Sequence, residues 1–110
     1  MMAVQKVEMP TSEFERFVLL PENHDRLFQL VAGQIIPVEA AWWSSVIAAR
    51  VGAFVGMYAY QHKLGFTTGA NGAYRIGTDI YLPKVAFVSR QRQAKPTDAY
   101  FNSTPPDLAV

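Results

Sequence analysis

One hundred and ten residues, half of them apolar and 17% charged, specify a single globular domain rather than a disordered chain. No apolar run reaches the length of a membrane span, and the absence of cysteine excludes disulfides and thiolate metal sites. A net charge of +1 does not by itself imply nucleic acid, although residues 1–60 carry −2 and residues 61–110 carry +3. The first residues lack the apolar core of a signal peptide, so a soluble cytoplasmic protein is expected.

Residues 1–10 give no periodic signal and are expected to fray. Ser12 and Glu15 form the S-x-x-E pattern of a capping box, with Thr11 as the alternative cap. Phe14, Phe17 and Val18 then share one helical face, and this short helix ends before Pro21. In the polar connector 21–25, His24, beside Asp25, reads as a structural or solvated loop histidine, with nothing to supply the partners of a catalytic pair. Residues 27–31 and 34–38 alternate on either side of Ala32-Gly33, which reads as a hairpin.

Residues 40–62 form the longest segment without proline. Trp43, Ile47, Val51, Phe54, Val55 and Tyr58 recur at three- and four-residue steps, the spacing of a helix of about five to six turns. Gly52 and Gly56, with Ala48, Ala49 and Ala53, allow close packing on a sheet or a second helix. Trp42 and Trp43 are either core anchors or a partner-binding patch. Leu64-Gly65 reads as the helix stop, with Gly65 at the C-cap, and Phe66 opens the next strand.

Residues 72–89 organise the rest. Tyr74 and Ile76 alternate with Ala73 and Arg75, and Gly77-Thr78-Asp79 supplies turn chemistry. Residues 80–88 then read as one strand, with Pro83 marking where full pairing begins. The continuous apolar run from Val85 to Val88 implies burial on both faces, hence a central strand. Residues 90–98 are a polar, basic loop or short helix. Residues 104–106 are a stiff approach to a strand that begins at Asp107.

The stretch from Gly72 to Ser89 resembles the segment through the first metal-ligand strand of a restriction-endonuclease-like family with the PD-(D/E)XK nuclease fold. Thr11 to Phe14, Leu20 to Asp25, Phe28 to Ile35 and Pro105 to Leu108 follow in that family's order and approximate spacing. The resemblance implies an α+β fold with a mixed, mostly antiparallel sheet flanked by the long helix. It also implies a metal-dependent DNA endonuclease, in which an aspartate and a glutamate hold Mg²⁺ and a lysine helps position the attacking water. This chain departs from that pattern. Two acids of the family's hairpin stand here as Gln29 and Gln34, the first metal-binding aspartate as Lys84, and a histidine near the start of the long helix as Ser44. Asp107 matches the aspartate of a second motif, whose metal-binding acid would follow Val110. The single domain 1–110 is therefore expected to be incomplete at its C-terminus.

Asp79 does not replace the lost acid, since it lies five residues from Lys84, roughly 16 Å along an extended strand. A lysine in a ligand position turns an attraction of about 4 kcal/mol per unit charge at ~4 Å into a repulsion. The expectation is a degenerate site with no catalytic residue intact, no metal and no cofactor. Two alternatives stay open. One is a non-catalytic module for oligomerisation or for nucleic acid, the latter through Arg75, Lys84, Arg90, Arg92 and Lys95. The other is a folded relic without activity. A homodimer through the sheet is expected, on the ground that the neighbour opening at Asp107 has only four residues and leaves strand 80–88 at an edge.

Overall fold

Proline opens the first helix. The computed structural model describes residues 9–110, so the expectation for the N-terminus lies outside the described residues as far as residue 8. Met9 is tied down: its N–H donates to Gly33 O at 3.1 Å, and its side chain packs against the core. Helix α1 spans Thr11–Val18 with Pro10 as its N-cap; Pro10 O accepts from Glu13 N and Phe14 N at 3.1 and 3.0 Å. The expected capping box does not form, because the N-cap lies two residues before Ser12, and both Ser12 and the alternative cap Thr11 fall inside the helix. Asn23, in the 3₁₀ turn Pro21–Asn23, is buried and donates its Nδ2–H to Phe17 O at 2.9 Å.

Strands β1 (Phe28–Val31) and β2 (Gln34–Pro37) form the expected hairpin. Ala32 and Gly33 both take positive φ, at 51° and 76°, the geometry of a type I′ turn. Helix α2 covers Trp42–Gln61. It does not stop on glycine at the C-cap: His62 holds that position, and Lys63 takes the left-handed conformation with φ 53°. Gly65 instead begins β3 (Gly65–Thr68), where a Cβ would collide with Val88 O, so the close approach of the neighbouring strand requires glycine.

β4 (Ala73–Ile76) and β5 (Asp79–Tyr81) pair as a hairpin around Gly77-Thr78, with Gly77 at φ 64°. The single strand expected over residues 80–88 is broken. Pro83 removes an N–H from the ladder, the chain turns at residues 82–85, and β6 (Ala86–Ser89) belongs to a different sheet from β5. β7 (Phe101–Asn102) and β8 (Leu108–Ala109) complete the chain.

The architecture is α+β, with two sheets rather than one. The larger runs β2-β1-β5-β4-β7 and is antiparallel except for the parallel pair β4–β7; the smaller, β3-β6-β8, is antiparallel throughout. The core lies between α1 and the larger sheet, where Phe14, Phe28, Leu30 and Ile80 are almost fully enclosed. Tyr74 OH and Thr68 Oγ1, 2.6 Å apart, bond one sheet to the other.

β6 is central, as its apolar run implied, with Ala86 and Val88 buried. It is flanked by β3 and β8, so it offers no open edge for a partner chain, and the sheet-edge route to a dimer loses its premise. α2 packs on β3 and on the 82–85 turn through small residues: a Cβ on Gly52 would rest 3.4 Å from Val85 Cγ2, and one on Gly56 3.9 Å from Thr67 Cγ2. Among the described residues no helix is long and apolar enough to cross a membrane.

Candidate functional site

Because α2 presents glycine and alanine inward, it leaves an open cleft of about 1580 Å³ between itself and the two sheets. Ala48, Gly52 and Gly56 form the helix wall; Gln29, Tyr74, Tyr81 and the 82–85 turn form the opposite side. The break at Pro83 builds this wall, because it carries Lys84 out of the strand and into the cleft lining.

Three of the positions implied by the resemblance meet here: Gln29, Lys84 and Ser44 all line the cleft. Gln34 does not, since it stands exposed at the start of β2, paired with Val31 across the hairpin turn. Gln29 Oε1 accepts the backbone N–H of Leu82 at 2.9 Å. β1 and β5 share only the Leu30–Ile80 position in register, so this side chain continues the link after the strand has ended. Lys84 is half-buried and held by its backbone, its N–H donating to Val110 O at 2.9 Å. Among the described residues no carboxylate pairs with its ammonium.

These residues do not fit a divalent cation. Mg²⁺ is held by carboxylates and sheds its waters reluctantly. Gln29 and Lys84 offer a neutral amide oxygen already bonded to Leu82 and an ammonium of the cation's own sign; the two acids of the lining, Asp25 and Glu39, are both exposed, and Asp25 is paired with His24. Among the described residues no three His, Cys, Asp or Glu side chains gather as a metal-ligand group.

Asp79 and Asp107 lie outside the cleft lining and have other work. Asp79 Oδ1 accepts Ala32 N–H at 3.0 Å, clamping the β1–β2 turn, and its Oδ2 accepts Tyr81 OH at 2.9 Å. That hydrogen bond, with some burial and the nearby carboxylate charge, pushes the Tyr81 phenol above its ordinary value. Asp107 Oδ2 accepts Ser89 N–H at 2.6 Å, and Oδ1 lies 3.3 Å from Arg92 Nη1.

Of the five cations weighed for nucleic acid, Arg75 and Arg92 are engaged by neighbouring groups of the chain. Lys84 and Arg90 lie beyond opposite ends of β6, whose four residues span roughly 13 Å at the rise of an extended strand. Arg92 is paired with Asp107, and Arg75 Nε donates back to Gly77 O at 3.0 Å. Lys95 is exposed in the 90–98 segment, which is a loop. His24 is held locally: Nε2 lies 3.1 Å from Asp25 Oδ1 and Nδ1 2.8 Å from Pro21 O. Both side chains of that pair are largely exposed.

Of the two readings of Trp42 and Trp43, core anchors fails. The rings stack at 5.6 Å, and both are largely exposed. Sequence reasoning also missed Thr67, which lines the cleft with its Oγ1 buried and unpartnered among the described residues. Only the strand pattern marked it, and a threonine in a strand gives no sign of an orphaned hydroxyl. No protein-family model matches the chain, and no curated protein matches it.

Proposed function

We propose that this chain is a non-catalytic binding domain laid out on the restriction-endonuclease-like plan, with a cleft that does not hold the metal such chemistry needs. The observation that carries the reading is the pairing of Gln29 Oε1 with Leu82 N–H in the same cleft that Lys84 lines. An acid placed at either position would add charge; the residues present add none, or add the wrong sign. The cleft walls are mostly apolar and formed by small residues, which suits a site that binds by shape.

The test is nicking of supercoiled plasmid in the presence of Mg²⁺ or Mn²⁺. No cleavage above the metal-free control is expected, and Lys84→Asp alone creates none, because Gln29 still presents no charge. Metal-dependent cleavage that disappears with Lys84→Ala overturns the reading.

A further inference from the structure

Among the described residues, the outward face of α2 carries a run of exposed large apolar side chains. Its small residues turn toward the sheet, and the opposite stripe is Trp43, Ile47, Arg50, Phe54, Met57 and Gln61, at steps of four and three residues. Trp43 is 65% exposed, Ile47 54%, Phe54 78% and Met57 59%, with Tyr58 beside them at 61%. At ~200 Å² per large apolar residue, these five leave roughly 600 Å² bare, the top of the range for the largest patch on a monomer. With Arg50 and Gln61 added, the stripe approaches the ~800 Å² that each partner gives to a stable interface.

The stripe is also complementary to itself when reversed. Trp43 and Gln61, Ile47 and Met57, Arg50 and Phe54 are each symmetric about residue 52. A two-fold axis crossing α2 at Gly52 sets the members of each pair against one another. Arg50 is the only charged residue in α2. Antiparallel pairing places its guanidinium on the ring of the second copy's Phe54, an attractive cation–π contact. Parallel pairing would set Arg50 against Arg50. An apolar groove of about 630 Å³, walled by Phe54, Tyr58, Gln61, Phe87 and Leu108, lies beside the C-terminal half of the stripe. The reversed copy brings its Trp43 to Gln61, at the edge of that groove.

We propose that α2 binds a second copy of this chain, antiparallel, through the Trp43–Gln61 stripe. Of the stripe only Ile47 also lines the cleft, and neither Gln29 nor Lys84 belongs to the stripe, so this proposal and the reading of the cleft are tested by different variants. Sedimentation equilibrium of the full chain at micromolar concentration should give twice 12.3 kDa. Phe54→Asp, still folded by circular dichroism, should weaken the dimer by roughly 100-fold, as loss of a central aromatic anchor does. The chain has no cysteine, so introduced thiols report cleanly. Under mild oxidation the double variant I47C/M57C should form 47-to-57 cross-links between chains. I47C or M57C alone should form none, because like positions then lie ~15 Å apart along the axis. A monomer of 12.3 kDa, a dimer indifferent to Phe54→Asp, or cross-links joining 47 to 47 would overturn the proposal.

Discussion

Asp107 Oδ2 accepts the backbone N–H of Ser89 at 2.6 Å, while Asp107 N–H donates to Phe87 O at 2.8 Å. One residue thus clasps the end of β6 and starts β8 beside it. The Ser89 N–H, followed by the Arg92 guanidinium, holds the carboxyl below its ordinary value. A depressed carboxyl contributes stability above its unfolded value of 3.8 and loses it as pH falls through the folded one. Urea denaturation of the wild type and of Asp107→Asn should therefore differ fully at neutral pH, begin to converge below about pH 4 and meet only below the folded-state value. Curves that stay equally separated in acid would mean the carboxylate is not the stabilising form.

Gln29 is expected to act as structure. Gln29→Ala leaves Leu82 N–H without its acceptor and should cost about 1–3 kcal/mol in urea denaturation. Gln29→Glu keeps an acceptor oxygen in the same place and should stay within about 0.5 kcal/mol of the wild type, as ordinary polar surface exchanges do. An alanine variant as stable as the wild type would show the bond to be incidental.

The β1–β2 turn has a removable strain. Ala32 sits at φ 51°, a conformation that costs an L-residue with a Cβ roughly 1–2 kcal/mol. Ala32→Asn creates the Asn-Gly pair that type I′ turns favour, and should raise stability by about 0.5–1 kcal/mol. The thermal midpoint checks it, and a lower midpoint would place the strain elsewhere.

DNA binding, where it occurs, should be weak and shallow in salt. Arg92 is neutralised by Asp107, and Lys84 and Arg90 lie at opposite ends of β6. At most one or two phosphates are then met together, so log affinity against log salt should fall with a slope no steeper than about −2. A slope of −5 on duplex DNA would require these cations to converge in a way their positions do not provide.

The local geometry of this fold was readable in its sequence where one short pattern decides it. Ala32-Gly33 and Gly77-Thr78 each mark a turn, and the spacing from Trp43 to Tyr58 marks α2; the structure has all three. The misses lie where a distant partner decides. The run from Ile80 to Val88 has strand composition throughout, but strand composition does not say which sheet a residue joins. Pro83 divides it between two. Gly65 looked like a helix stop because glycine serves both there and under a close-packed strand; contact with Val88 chose the second. At the cleft, the sequence supplied Gln29, Ser44 and Lys84, but not the Leu82 N–H that occupies Gln29, since that bond joins residues 53 apart.

Metal binding itself tests the reading of the cleft most directly. Mn²⁺ titrated into the chain at neutral pH, followed by water-proton relaxation, should show no saturable site below millimolar concentration, because Gln29 and Lys84 offer no charge that attracts it and the exposed Asp25 and Glu39 do not gather with a third ligand among the described residues. A single micromolar site that Gln29→Ala weakens and Lys84→Ala leaves unchanged or tightens would contradict it.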